Sequence, residues 1–135
     1  MPDAKLEKLM IKAAKHGNCA ALTELLQSDK SLLNARDTDG STPLHCACWK
    51  GNLDAAKLLL EHGAKADALR TGGHYGTTPL HAAAHGNQRE IVRLLLEHGA
   101  KAKLKDDEGL DALGHTEIHK ATAAAKVLRE FAAKP

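Results

Sequence analysis

The chain is 135 residues long, with 27% charged, 43% hydrophobic and only 2% aromatic side chains. Its formal net charge of +2, with both signs dispersed along the chain, argues against a nucleic-acid binder, which usually shows a basic stripe. No run of eighteen apolar residues occurs, so no membrane insertion is expected. The charged start, with Asp3, Lys5, Glu7 and Lys8, lacks a signal-peptide core. Cys19, Cys46 and Cys48 cannot all pair within one chain, and they read as reduced thiols of a cytoplasmic or nuclear protein. With so few aromatics, the core must be built from Leu, Ile, Val and Ala, and the abundant alanine points to closely packed helices.

In chain order, the first segment, 4–36, carries Ala13-Ala14-Lys15-His16-Gly17 and the pair Leu25-Leu26. The second, 37–69, opens with Asp39-Gly40-Ser41-Thr42-Pro43-Leu44-His45 and closes with Leu58-Leu59-Leu60-Glu61-His62-Gly63-Ala64. Both strings return thirty-six residues later in the third segment, 70–105, as Tyr75-Gly76-Thr77-Thr78-Pro79-Leu80-His81 and Leu94-Leu95-Leu96-Glu97-His98-Gly99-Ala100. A degraded copy, Gly109-Leu110-Asp111-Ala112-Leu113, opens the last segment, 106–133.

Each string has a local physical reading. Thr42 and Thr78 are helix N-caps, and Pro43 and Pro79 take the first helical position, where no backbone donor is missed. Gly51 allows a left-handed turn between two helices. Asn87 stands opposite it in the next copy, the next best residue for that conformation. The second helices carry an apolar stripe, Leu53, Ala56, Leu58 and Leu59, then Ile91, Val92, Leu94 and Leu95. Gly63 and Gly99 end them. Three extra residues near Arg70–Gly76 lengthen one connection. In the last copy Glu117 replaces a small residue, which suits a face with no following neighbour.

Two full copies of such a signature resemble the ankyrin-repeat family, whose unit of about 33 residues is a β-turn followed by two antiparallel helices. The expected fold is an all-α repeat solenoid, a stack of helix-turn-helix units with β-turn fingers, in one domain capped at 4–36 and 106–133. The resemblance makes His45 and His81 structural hydrogen-bond bridges between neighbouring turns. It implies protein binding through the finger tips and the concave side of the first helices.

Carried onto this chain, the fingers offer Asp39, Ser41, His74 and Tyr75, and the first helices offer Lys15, His16, Trp49, Lys50, His85, Ile118 and His119. Trp49 and Tyr75 are rare aromatics at positions the repeat does not require, and they are residue types enriched at binding hot spots. By the same resemblance, Asn34 matches a position of asparagine hydroxylation. His16, His85 and His119 would fall on one surface. A spacing of roughly 10 Å between stacked helices keeps their side chains from converging, so no metal ligand is assigned and no cofactor is expected.

No catalytic residue is expected either. The chain lacks G-x-S-x-G, G-x-G-x-x-G, a phosphate loop and H-E-x-x-H, and Cys46-Ala47-Cys48 is not a C-x-x-C pair. The leading reading is a monomeric interaction module or adaptor that binds a segment of another protein. The alternatives are a structural or regulatory subunit of a larger complex, and an ankyrin domain excised from a larger enzyme or channel.

Overall fold

The computed structural model describes residues 3–72 and 76–133. Four helix pairs follow one another: α1 Ala4–His16 and α2 Cys19–Ser28, α3 Pro43–Lys50 and α4 Leu53–Glu61, α5 Pro79–His85 and α6 Arg89–Glu97, α7 Ala112–Ile118 and α8 Thr122–Ala132. A 3-10 turn, Lys30–Asn34, follows α2, and exposed Asn34 is its last residue. The first helices form one row, α1 on α3 on α5 on α7, and the second helices form the other. Among the described residues there is no β-strand. The segments between the pairs are hydrogen-bonded turns.

The helix starts follow from the sequence. Thr42 and Thr78 each accept the backbone N–H three residues on, while the His at that position closes a reciprocal box, and Pro opens both helices. In α7 the cap is Asp111, which accepts from the Gly114 N–H at 2.8 Å. The residue between paired helices is left-handed in every unit: Gly17 at φ 68°, Gly51 at 78°, Asn87 at 55° and Lys120 at 54°. Asn87 also reaches the next unit. Its Oδ1 accepts the Ala124 N–H at 3.0 Å, a cap that α8 does not supply from its own N-cap residue. Asn52 ties the first two units together through Nδ2, which donates to the Ala14 and Lys15 carbonyls at 3.0 and 2.7 Å.

One apolar core runs the length of the stack, from Met10 and Leu22 through Leu44, Leu59 and Leu80 to Leu95, Val127 and Leu128. Each such leucine removed from water contributes about 1.5–3 kcal/mol. Ala47, Cys48, Ala83 and Ala84 are fully buried where first helices meet, and their small size permits the close approach. The expected stripe on α4 needs one correction. Leu53 is exposed, and Ala55, Ala56, Leu59 and Leu60 are the buried set. Leu53 sits in the first turn of α4.

The turns are tied to each other as well. Arg36 Nη1 donates to the Gly40 and Leu69 carbonyls, both at 2.7 Å. Arg70 reaches back to the Asp39 carbonyl at 3.2 Å and its carboxylate at 3.5 Å. The lengthened connection is closed at its base, where the Arg70 N–H donates to the Thr77 carbonyl at 2.9 Å and the Gly76 N–H to the Arg70 carbonyl at 3.1 Å.

Candidate functional site

The row of first helices and the turns above it enclose a groove of about 710 Å³. Six residues singled out from the sequence line it together: Asp39 and Ser41 from a turn, Trp49 and Lys50 at the end of α3, His85 at the end of α5, and His119 just after α7. Lys15 and Ile118 border it too. His16 is exposed at the end of α1 but does not line the groove. His74 and Tyr75 lie outside the described residues.

Two buried histidines form part of the groove wall. Their hydrogen bonds fix their tautomers. His45 Nε2 donates to the Thr77 carbonyl at 2.8 Å, so its Nδ1 is left to accept from the Thr42 N–H at 3.2 Å. His81 repeats this with the Leu110 carbonyl at 2.8 Å and the Thr78 N–H at 3.2 Å. Each ring joins its own helix start to the turn of the next unit. Burial pushes His45 down to about 4, against the hydrogen bond to Thr77, which favours the charged ring. Burial lowers His81 in the same way. Both rings are therefore neutral struts at physiological pH.

Cys46 and Cys48 offer no nucleophile. Burial, with the Asp37 carboxylate nearby, pushes the Cys46 thiol up to about 11, and burial raises Cys48 further. Thiols that stay protonated near neutrality are poor nucleophiles.

Aromatic rings line the groove in sequence. The Trp49 ring lies 4.6 Å from His85, and His85 lies 3.7 Å from His119. Trp49 is nonetheless 48% exposed. The closeness of His85 and His119 corrects the expectation that imidazoles on stacked units stay apart. Helix axes near 10 Å apart are bridged when two side chains reach toward each other across the gap. The converging set is also different from the expected one: His115 joins His85 and His119, and His16 does not.

Comparison with known proteins supports the same architecture. A family model described as ankyrin repeats (3 copies) matches residues 9–106 and again 64–133. The chain belongs to the ankyrin-repeat family. Ankyrin repeat domain-containing protein 49 of Drosophila melanogaster is 37% identical over 63 residues, 47% of this chain and 29% of that protein. Serine/threonine-protein kinase VIK of Arabidopsis thaliana is 43% identical over 60 residues, 44% of this chain and 14% of the kinase. Palmitoyltransferase akr1 of Schizosaccharomyces pombe is 49% identical over 110 residues, 82% of this chain and 17% of the enzyme. The chain thus spans less than a third of the length of each of these relatives.

Ankyrin repeats are non-catalytic modules that mediate protein–protein interactions, and no catalytic motif is found in this ankyrin stack. No helix among the described residues is long and apolar enough to cross a membrane. Sequence reasoning missed several residues of the groove, His115 and Asp106 among them. His115 Nε2 sits 2.6 Å from Asp106 Oδ2, and the Asp106 side chain is only 2% exposed. Desolvation works to raise this carboxyl. The hydrogen bonds from His115, Leu110 and Glu108 outweigh it and hold the carboxyl below its ordinary value. The available signal was the pair His115 and His119, four residues apart and so on one helix face.

Proposed function

We propose that this ankyrin stack is an interaction module or adaptor that holds a segment of a partner protein in the groove along its first helices, with the turn tips acting as fingers at its rim. The observation that carries this reading is Trp49. A large aromatic ring stands half exposed on a stack whose other aromatics are one Tyr and one Phe, and it faces a groove of about 710 Å³. Tryptophan in such a place is a hot-spot residue type. Lys15, Lys50, Asp39 and Glu108 around it give both signs of charge, which fits an amphipathic segment rather than a uniformly charged one.

The reduced thiols fit a cytoplasmic or nuclear setting, and a single stack is proposed to work as a monomer. The same groove would serve if the stack is part of a longer chain. Relatives of which this chain spans 29% or less favour that second reading.

The test is affinity capture from an extract of the source organism, with wild type and Trp49→Ala compared after circular dichroism shows both folded. The expected result is a partner retained by the wild type and weakened by the variant, by about 2 kcal/mol or more in affinity. Equal capture would place the interface away from Trp49.

A further inference from the structure

We propose that His85, His115 and His119 form a three-imidazole site for a zinc-class divalent cation at the end of the groove formed by α5 and α7. One ring nitrogen from each of the three lies within 4.8 Å of the others. In a tetrahedral shell with metal–nitrogen bonds of about 2.0–2.1 Å, donors stand about 3.4 Å apart. Closure from the observed spacing asks each imidazole to move by about an ångström on that geometry. His119 is exposed and follows the last residue of α7, so it is placed to make that adjustment.

His115 is already oriented. Its Nε2 donates to Asp106 Oδ2 at 2.6 Å, while Asp106 Oδ1 accepts the Glu108 and Leu110 N–H groups, both at 3.0 Å. The other ring nitrogen, Nδ1, is shut off from solvent and has no hydrogen-bond partner. A buried nitrogen left unsatisfied is costly in a structure that gives it no use. A bond to a cation gives it one. A carboxylate that takes the second N–H of a ligating imidazole also fixes the ring and raises its basicity. His115 in α7 and His119 at its C-cap, four residues apart, present the spacing by which one helix face offers two imidazoles to a metal.

The neighbouring group His81, Asp106 and His115 is equally close but is not a second site. His81 uses both nitrogens on the Thr78 N–H and the Leu110 carbonyl, and Asp106 is spent on His115 and two backbone donors. Three imidazole nitrogens, with no thiolate in the set, suit zinc, cobalt, nickel or copper and disfavour calcium or magnesium. They leave a fourth position for water on the groove side. The inference does not depend on which protein occupies the groove.

The test uses the untagged chain, titrated with Zn2+ by calorimetry and with Co2+ by visible absorption. Trp49 is the sole tryptophan, and its ring lies 4.6 Å from His85, so its fluorescence reports filling by a paramagnetic ion. The expected result is one cation per chain, quenching by Co2+, and loss of binding in His85→Ala, His115→Ala and the exposed-site variant His119→Ala. Asp106→Asn should weaken binding about tenfold or more. His62→Ala and His98→Ala, at the ends of α4 and α6, should leave it unchanged. Circular dichroism establishes that each variant is folded, and His119→Ala decides the matter if a buried variant is not. Affinity no better than millimolar, or equal binding by wild type and His119→Ala, overturns the proposal.

Discussion

The second and last units use the same scaffold for opposite ends. In the second, Asp37 Oδ1 accepts the Asp39 and Ser41 N–H groups, and the Cys46 thiol lies 3.8 Å from Asp37 Oδ2. In the last, Asp106 Oδ1 accepts the Glu108 and Leu110 N–H groups, and His115 takes the place of Cys46 against Oδ2. The cap differs in step. His45 stands three residues after Thr42, whereas Gly114 stands three residues after Asp111. Moving the histidine one position along the helix turns a strut with both nitrogens engaged into a ring whose buried Nδ1 has no hydrogen-bond partner. An internal unit must bridge to the unit that follows it. In the last unit described, the histidine instead faces the Asp106 carboxylate of its own turn.

The largest effect that should separate the two units is a core truncation. Leu44 is 1% exposed between two neighbouring helices, while Leu113, its counterpart, is only partly buried. Leu44→Ala should cost about 3 kcal/mol in urea unfolding and Leu113→Ala about 1 kcal/mol. Equal costs would break the distinction between the second and last units.

The acid response should be nearly as large. Folded His45 resists protonation down to about 4, whereas the unfolded chain takes that proton near 6.5. The unfolded state then binds more protons, so the stabilisation is fully present above 6.5 and is lost as pH falls toward and through 4. Relative to His45→Gln, the wild type should lose roughly 2–3 kcal/mol between pH 7.5 and pH 4. Unfolding free energies of both proteins across that range would reveal parallel curves if the ring is not buried neutral.

A smaller effect belongs to the left-handed turns. Lys120 holds φ 54° where the second unit has Gly51 at 78°. Lys120→Gly should raise stability by about 1 kcal/mol. Gly51→Ala should lower it, because an added Cβ would come within 2.7 Å of the Gln88 side-chain amide. Thermal unfolding of the two variants shifts in opposite directions if the turns are equivalent. The smallest effect is at Trp49. Trp49→Ala should change stability by less than about 0.5 kcal/mol, as befits an exposed side chain.

What could be read from residues alone divides along the same line. Thr42-Pro43-Leu44-His45 and its copy state their local geometry outright, because cap, first-turn proline and bridging histidine act within a few residues of each other. Asn87 was legible as a left-handed residue, but its bond to Ala124 was not, since that partner belongs to the next unit. His115 was illegible for a similar reason. Its carboxylate sits in a turn nine residues earlier, and His85 comes from another unit. Only stacking brings them together. His16 is exposed at the end of α1 and does not line the groove, although its place in the repeat matches that of Lys50.

The most direct test of the groove as the binding face is site-specific photo-crosslinking at two exposed lysines. One photoreactive residue replaces Lys50 in the groove, and another replaces Lys126 on α8. The expected result is a discrete crosslinked product from position 50 that unlabelled wild type competes away and Trp49→Ala does not, with no competed product from position 126. A competed product from position 126 alone would contradict the assignment and put the interface on the second helices.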